Sequence, residues 1–169
     1  PASHIAHGWD ICQPVMADGS TKDINRLILD ELQDGVGTIW LQGLQTADLA
    51  GHLPAMMQDV VFAAAGIHLD AGNDVMAQIV AFADFAKKAD TNLAASRFHA
   101  NIDPFAPAAD ADLVASALAY FMSADAGDVP PDMFRAQGWQ WHNQGMTAVQ
   151  ELAYILASLT EILRQGMAR

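Results

Sequence analysis

Short β-like runs alternate with helical segments along this chain, and that alternation constrains the fold most, because it is the sequence form of a parallel α/β architecture. Five such units are legible. The first strand spans Trp9 to Cys12. After the Asp18-Gly19 turn, a helix from Thr21 to Gln33 carries Ile24, Leu27, Ile28 and Leu32 on one face, with Ser20 or Thr21 as its cap and Gly35 as its stop. The second strand, Gly37 to Leu41, is a continuous apolar run of the kind buried on both faces. Its helix, Thr46 to Gln58, contains Pro54, which bends it or marks a late start. A third strand, Ile67 to Leu69, leads through Asp70-Ala71-Gly72 into a helix ending at Lys88, with Asn73 or Asp74 as its start. The fourth strand is Ser96 to Ile102, followed by a helix near Ala109 to Met122. A Gly127 to Pro131 loop precedes the fifth strand, Phe134 to Trp139, and Met146 to Met167 is the last and longest helix.

Five units cannot close a barrel of about eight strands. The expected fold is therefore α/β: a partial parallel (β/α) TIM barrel formed by residues 1–169 as one domain, with an uncovered strand edge at each end. Such edges invite pairing, so self-association or a partner chain is expected. Neither a G-x-G-x-x-G nor a P-loop string follows any strand, which weighs against a nucleotide-binding doubly wound sheet.

Composition narrows function mainly by exclusion. The formal charge of −12, from 20 acidic and 8 basic side chains, argues against a nucleic-acid surface, which needs clustered cations to displace counterions from phosphates. No apolar run is long enough to span a membrane. The single cysteine, Cys12, cannot form an internal disulfide, so a cytoplasmic home is expected. On a predicted buried strand it reads as a small apolar residue rather than a nucleophile. The start, Pro-Ala-Ser-His, has no initiator methionine and no charged-then-apolar leader, which suggests a processed or trimmed piece of something larger.

The six histidines show no metal-ligand spacing: His4 and His7 precede any clear helix, while His52, His68, His99 and His142 fall in different units. No G-x-S-x-G elbow is present to support a hydrolase triad. His142 stands out by position. At the carboxyl end of the fifth strand it would face a barrel mouth, with Asn143 and Gln144 able to orient it. The alternative is a histidine packed between Trp139 and Trp141. His99, Asn101 and Asp103 alternate along the fourth strand and share a face, which makes that face a pocket wall or a hydrogen-bonded barrel layer. A small enzyme using this mouth for unrelated chemistry would rest on the same residues.

The stretch Trp139 to Ala157, WQWHNQGMTAVQELAYILA, resembles the histidine-bearing junction of the methylmalonyl-CoA mutase family through His142, Gly145, Glu151, Leu152, Ala153 and Tyr154, with Trp141 where the family usually has tyrosine. Gly8-Trp9-Asp10-Ile11-Cys12-Gln13 and Asp34 to Leu41 resemble the family's first and second barrel strands, and Asn101-Ile102-Asp103-Pro104 resembles a short motif of mutase small subunits. These segments occur in the family's order along nearly the whole chain.

The resemblance implies an isomerase that interconverts methylmalonyl-CoA and succinyl-CoA with adenosylcobalamin, in which a barrel threads the CoA chain through its middle. By the same resemblance His142 donates a hydrogen bond to a substrate carbonyl, with Gln13, Asn101 and Gln144 as polar neighbours in an acyl-CoA pocket. The cobalamin loop, D-x-H-x-x-G, is absent, so this chain alone is expected to bind no cofactor. Catalytic members carry an arginine where this chain has Cys12, a tyrosine where it has His4, and a carboxylate-binding arginine after the fourth strand, whereas Pro104 to Leu118 contains none. These departures resemble the small subunits, structural partners of a catalytic chain. The expectation is a small-subunit-like domain or fragment, inactive alone and partnered by a catalytic mutase subunit or by itself. The alternative is a noncatalytic half-barrel module that stabilises a partner chain.

Overall fold

The computed structural model describes residues 10–44, 47–69, 74–93, 96–103, 105, 112–123 and 132–167. His4, His7, Trp9, Thr46, Asp70 to Asn73, Pro104, Ala109 and the Gly127 to Pro131 loop lie outside them. The described elements run β1 (Cys12–Met16), α1 (Thr21–Gln33), β2 (Thr38–Gln42), α2 (Leu49–Met56), β3 (Gly66–Leu69), α3 (Val75–Lys88), β4 (Phe98–Ile102), α4 (Leu113–Ser123), β5 (Asp132–Phe134), α5 (Gly138–His142) and α6 (Ala148–Met167). All strand pairs are parallel, and the sheet order β1-β2-β3-β4-β5 follows the chain. Sequential parallel strands joined through helices are the arrangement of a partial (β/α) barrel.

Register separates two faces. Ile39, Ile67 and Phe98 lie side by side, as do Val15, Leu41 and Leu69, and all are buried beneath the helices. Ile28, Leu53, Ile79 and Phe82 complete that core, with the Phe82 and Phe98 ring centroids 5.1 Å apart. Full burial of each such side chain stabilises the fold by about 1.5–3 kcal/mol. The Met56-Met57 pair is buried too, and Phe85 packs at its margin. On the opposite face the register row Pro14, Trp40, His68, His99, Asp132 crosses all five strands. Trp40, Gln42, His68 and His99 are only half-buried there, so β2 is not covered on both faces as its apolar run suggests.

Local chemistry explains the boundaries. Ser20 caps α1, its Oγ accepting from Asp23 N at 3.3 Å, and Gly35 at φ +97° ends the turn after the helix. Pro54 is accommodated inside α2, which starts late, at Leu49. β1 begins where the expected strand ends, because Pro14 is tolerated at a sheet edge. Ile11 O accepts from Thr38 N and Ala17 N donates to Gln42 O, so odd-numbered backbone groups face β2 and Pro14 lies on the open side. Cys12 is consequently exposed on an edge strand, a correction to its expected burial. Arg97 braces this end of the sheet, bonded to the Asp10 carboxylate and Gly37 O and, at 3.0 Å, to Ala64 O.

The fifth strand is corrected most. It ends at Phe134, residues 135–137 leave the sheet, and Gly138–His142 is a short helix. Gln137 supplies the reason: its backbone N–H donates to Asp103 Oδ2 at 2.6 Å and its side chain to Asn101 O at 2.9 Å, which turns the chain inward. A side chain at Gly138 would meet Glu151 Cγ at 2.7 Å, so glycine permits the close approach of α5 to α6. His142 therefore closes a helix instead of occupying the end of a strand.

Candidate functional site

A cavity of about 570 Å³ opens on the face away from the helices, within the range of small-molecule sites. β2 contributes Trp40 and Gln42, β3 His68, β4 Asn101, the segment after β5 Arg135, and α5 Trp139. These positions follow from period-2 alternation: residues interleaved with the buried Ile39, Leu41, Ile67 and Leu69 point to this side. The rim includes Cys12 of β1.

The electrostatics are lopsided. Arg135 is the only charged residue among the described residues lining the cavity, and none of them holds an ion pair with it. His68 is driven down to a pKa of about 3, chiefly by burial and then by His99, Arg135 and Arg97, so its imidazole is neutral at physiological pH. Its ring lies 4.1 Å from that of His99, whose Nδ1 is 3.0 Å from Asp132 Oδ2. Partial desolvation by its neighbours raises the Cys12 thiol above its ordinary value although the residue is exposed, outweighing the opposing pull of Arg135, so Cys12 is not an activated nucleophile. Among the described residues nothing accepts from the buried indole N–H of Trp40.

Beside the cavity a buried carboxylate organises the end of β4. Asp103 is 2% exposed; its Oδ1 accepts from Tyr154 Oη at 2.9 Å and from Phe105 N at 3.1 Å, and its Oδ2 from Gln137 N. Gln137 Oε1 in turn accepts from Trp139 Nε1 and Gln140 Nε2, each at 3.2 Å. Asn101, at φ +53° beside a register shift in β4, donates from Nδ2 to Leu69 O at 2.9 Å, and its Oδ1 lies 3.4 Å from Arg135 Nη1. His99 and Asn101 thus share the open face, whereas Asp103 binds the helical layer of α6.

The sequence-predicted residues are not gathered in one place. Asn101 lines the cavity. His142 ends α5 with its side chain 64% exposed and its Nδ1 3.3 Å from Glu151 Oε2. Gln144 is exposed in the following turn, and Gln13 shares the register of Val15 on the helix-facing side of β1. Sequence reasoning passed over Trp40, Arg135, Gln137 and Trp139. Alternation in β2 marks Trp40, but nothing local marks Arg135, which falls inside the expected fifth strand. Among the described residues no group of three or more His, Cys, Asp or Glu side chains converges to hold a metal ion, and no helix is long and apolar enough to cross a membrane.

No protein-family model matches the chain. It is 30% identical over 174 aligned residues, covering 97% of its length, to proteins described as "Probable methylmalonyl-CoA mutase small subunit" from Mycobacterium bovis and Mycobacterium tuberculosis. The chain spans about a quarter of the length of these relatives, 27% in each case. It is thus similar along nearly all of its own length to one portion of mutase small subunits.

Proposed function

We propose that the chain is a small-subunit-like barrel segment of a methylmalonyl-CoA mutase, which supplies structure and part of an acyl-CoA-binding face to an adenosylcobalamin-dependent isomerase and is inactive alone. The observation that carries this reading is similarity over 97% of the chain, spread across five consecutive parallel βα units. The open face takes the place of a barrel interior, and Asn101 is the resemblance-assigned residue that already lines its cavity.

Within this reading His142 would reach an acyl carbonyl from the mouth only if residues 135–142 extend β5, releasing the ring from Glu151. Gln144 would move with it, and Gln13 would support β1 from the helical side. The sequence contains no D-x-H-x-x-G loop, so in this reading the cobalamin is held by another domain or chain.

Light scattering during size exclusion, with an adenosylcobalamin-binding mutase subunit added, tests the proposal. A stable complex is expected; separate elution of folded components would overturn it.

A second reading, a half-barrel module that stabilises a partner chain, draws on one feature of α6. Val149, Leu152, Leu156, Leu159 and Leu163 recur at alternating steps of three and four residues, and all are exposed. The occupant favoured here is a second copy, whose identical stripe matches this spacing.

A further inference from the structure

We infer that the hollow between the ends of α2 and α3 is a docking groove for a segment of an unlike partner chain, one that presents an apolar side chain next to a lysine or arginine. The inference rests on the reading that this chain works with a partner, and it adds where on the surface such a chain is held.

The hollow, about 540 Å³, lies at the amino-terminal end of the sheet, between the segment that leads into β3 and the segment that leads into β4. In parallel α/β barrels chemistry gathers at the other end, so a groove here fits adhesion better than catalysis. Its floor is apolar: Met57, Val60 and Phe62 are buried, and the Phe62 and Phe85 ring centroids are 5.8 Å apart. Val61, 62% exposed, and the exposed Ala63 continue that surface outward. An apolar side chain entering here removes apolar surface from water on both partners.

Charge selects the occupant. Asp90 is the only charged residue of the described lining, and Asp59 lies in sequence between the lining residues Met57 and Val60. Among the described residues neither carboxylate takes part in an ion pair. Both aspartates hold left-handed backbone just past a helix end, Asp59 at φ +62° and Asp90 at φ +52°, where glycine or asparagine is the usual choice. A carboxylate there also faces the negative end of the helix dipole. Lys87 and Lys88, in the last turn of α3, offset part of that cost, and neither belongs to the described lining. Two acidic side chains kept at unfavourable positions beside one apolar floor complement a cation brought by a partner. A second copy of a chain with formal charge −12 brings the wrong sign, so the occupant is an unlike chain.

Titration of the whole isotope-labelled chain with synthetic peptides, read by amide chemical shifts, tests the groove. One peptide is built of leucine and lysine, a second has glutamate in place of lysine, and a third has glycine in place of leucine. The leucine-lysine peptide is expected to bind saturably and to shift the amides of residues 60–63 and 89–92, with the other two weaker by roughly tenfold or more. Asp59→Asn combined with Asp90→Asn keeps a residue that tolerates left-handed backbone and should weaken that peptide by roughly tenfold, as should added salt. Asp18→Asn, beyond the carboxyl end of β1, should leave its affinity unchanged. Equal weakening by Asp18→Asn, shifts spread evenly over the surface, or no binding at millimolar peptide to a chain whose spectrum shows it folded would overturn the inference. A complex with a mutase subunit that survives the paired asparagine substitutions would strike the groove and leave the partnership standing. Peptide binding at the groove without any such complex would support the groove and remove only the mutase partner.

Discussion

The Tyr154 phenol donates a 2.9 Å hydrogen bond to the Asp103 carboxylate, joining the end of β4 to the middle of α6 across 51 residues of chain. That bond, with the Gln137 N–H on the other carboxylate oxygen, sets where the last helix lies against the sheet. Burial, together with the neighbouring Asp103 charge, raises the Tyr154 pKa, so the phenol keeps its proton and remains a donor throughout the physiological range. Tyr154→Phe is expected to cost about 1–2 kcal/mol, and Asp103→Ala about 3 kcal/mol because several donors lose their acceptor together. Urea denaturation measures both; a smaller cost for Asp103→Ala than for Tyr154→Phe would contradict this arrangement.

Phe82 is fully buried against Phe98 at the centre of the helical layer. Phe82→Ala is expected to lower stability by about 3–5 kcal/mol through lost burial and the cavity left behind. The same substitution at the partly buried Phe85 should cost clearly less, which denaturation midpoints will show.

His68 links stability to pH. Its folded-state pKa of about 3 lies below the ordinary 6.5, so the unfolded chain binds the extra proton first. The contribution from keeping this ring neutral is therefore complete above about pH 6.5 and declines as pH falls toward 3. His99, Arg135, Arg97 and Asp132 surround the ring and shape the same interval. Below about pH 6.5 the melting temperature of the parent should fall more steeply than that of His68→Gln; a parent that loses no more on acidification than the variant would refute the assignment.

The exposed stripe of α6 predicts association. The parent chain should show a scattering mass above that of one chain at micromolar concentration, and Leu156→Glu combined with Leu163→Glu should return it to a single chain with unchanged circular dichroism. A parent that is already a single chain would remove the role assigned to this face.

Much of the helical layer was legible from spacing alone. Apolar periodicity and a serine cap delimit α1 at Thr21 and Gln33, because both signals are local. β1 is harder to locate: Pro14 looks like a strand breaker until the strand is known to be an edge, where a missing N–H costs no ladder bond. The segment after β5 misleads in the other direction. Trp139 and Trp141 suit a strand by propensity, but the bond from Gln137 N to Asp103, 34 residues earlier, takes the chain off the sheet, and no local pattern carries that information. The candidate site divides in the same way. Asn101 was accessible through alternation along β4, whereas the placement of Arg135 near His68 depends on the register of three strands.

Pro14 also bears on how copies of this chain can meet. Joining β5 of one copy to β1 of the next would be a head-to-tail contact that need not close, the geometry from which open filaments grow. A proline in the middle of β1's outer edge removes one of the donors such growth requires, and a β5 of three residues offers little to pair with it. Polymerisation through the sheet is thereby discouraged at both ends, and assembly is directed toward pairings that stop at a finite size.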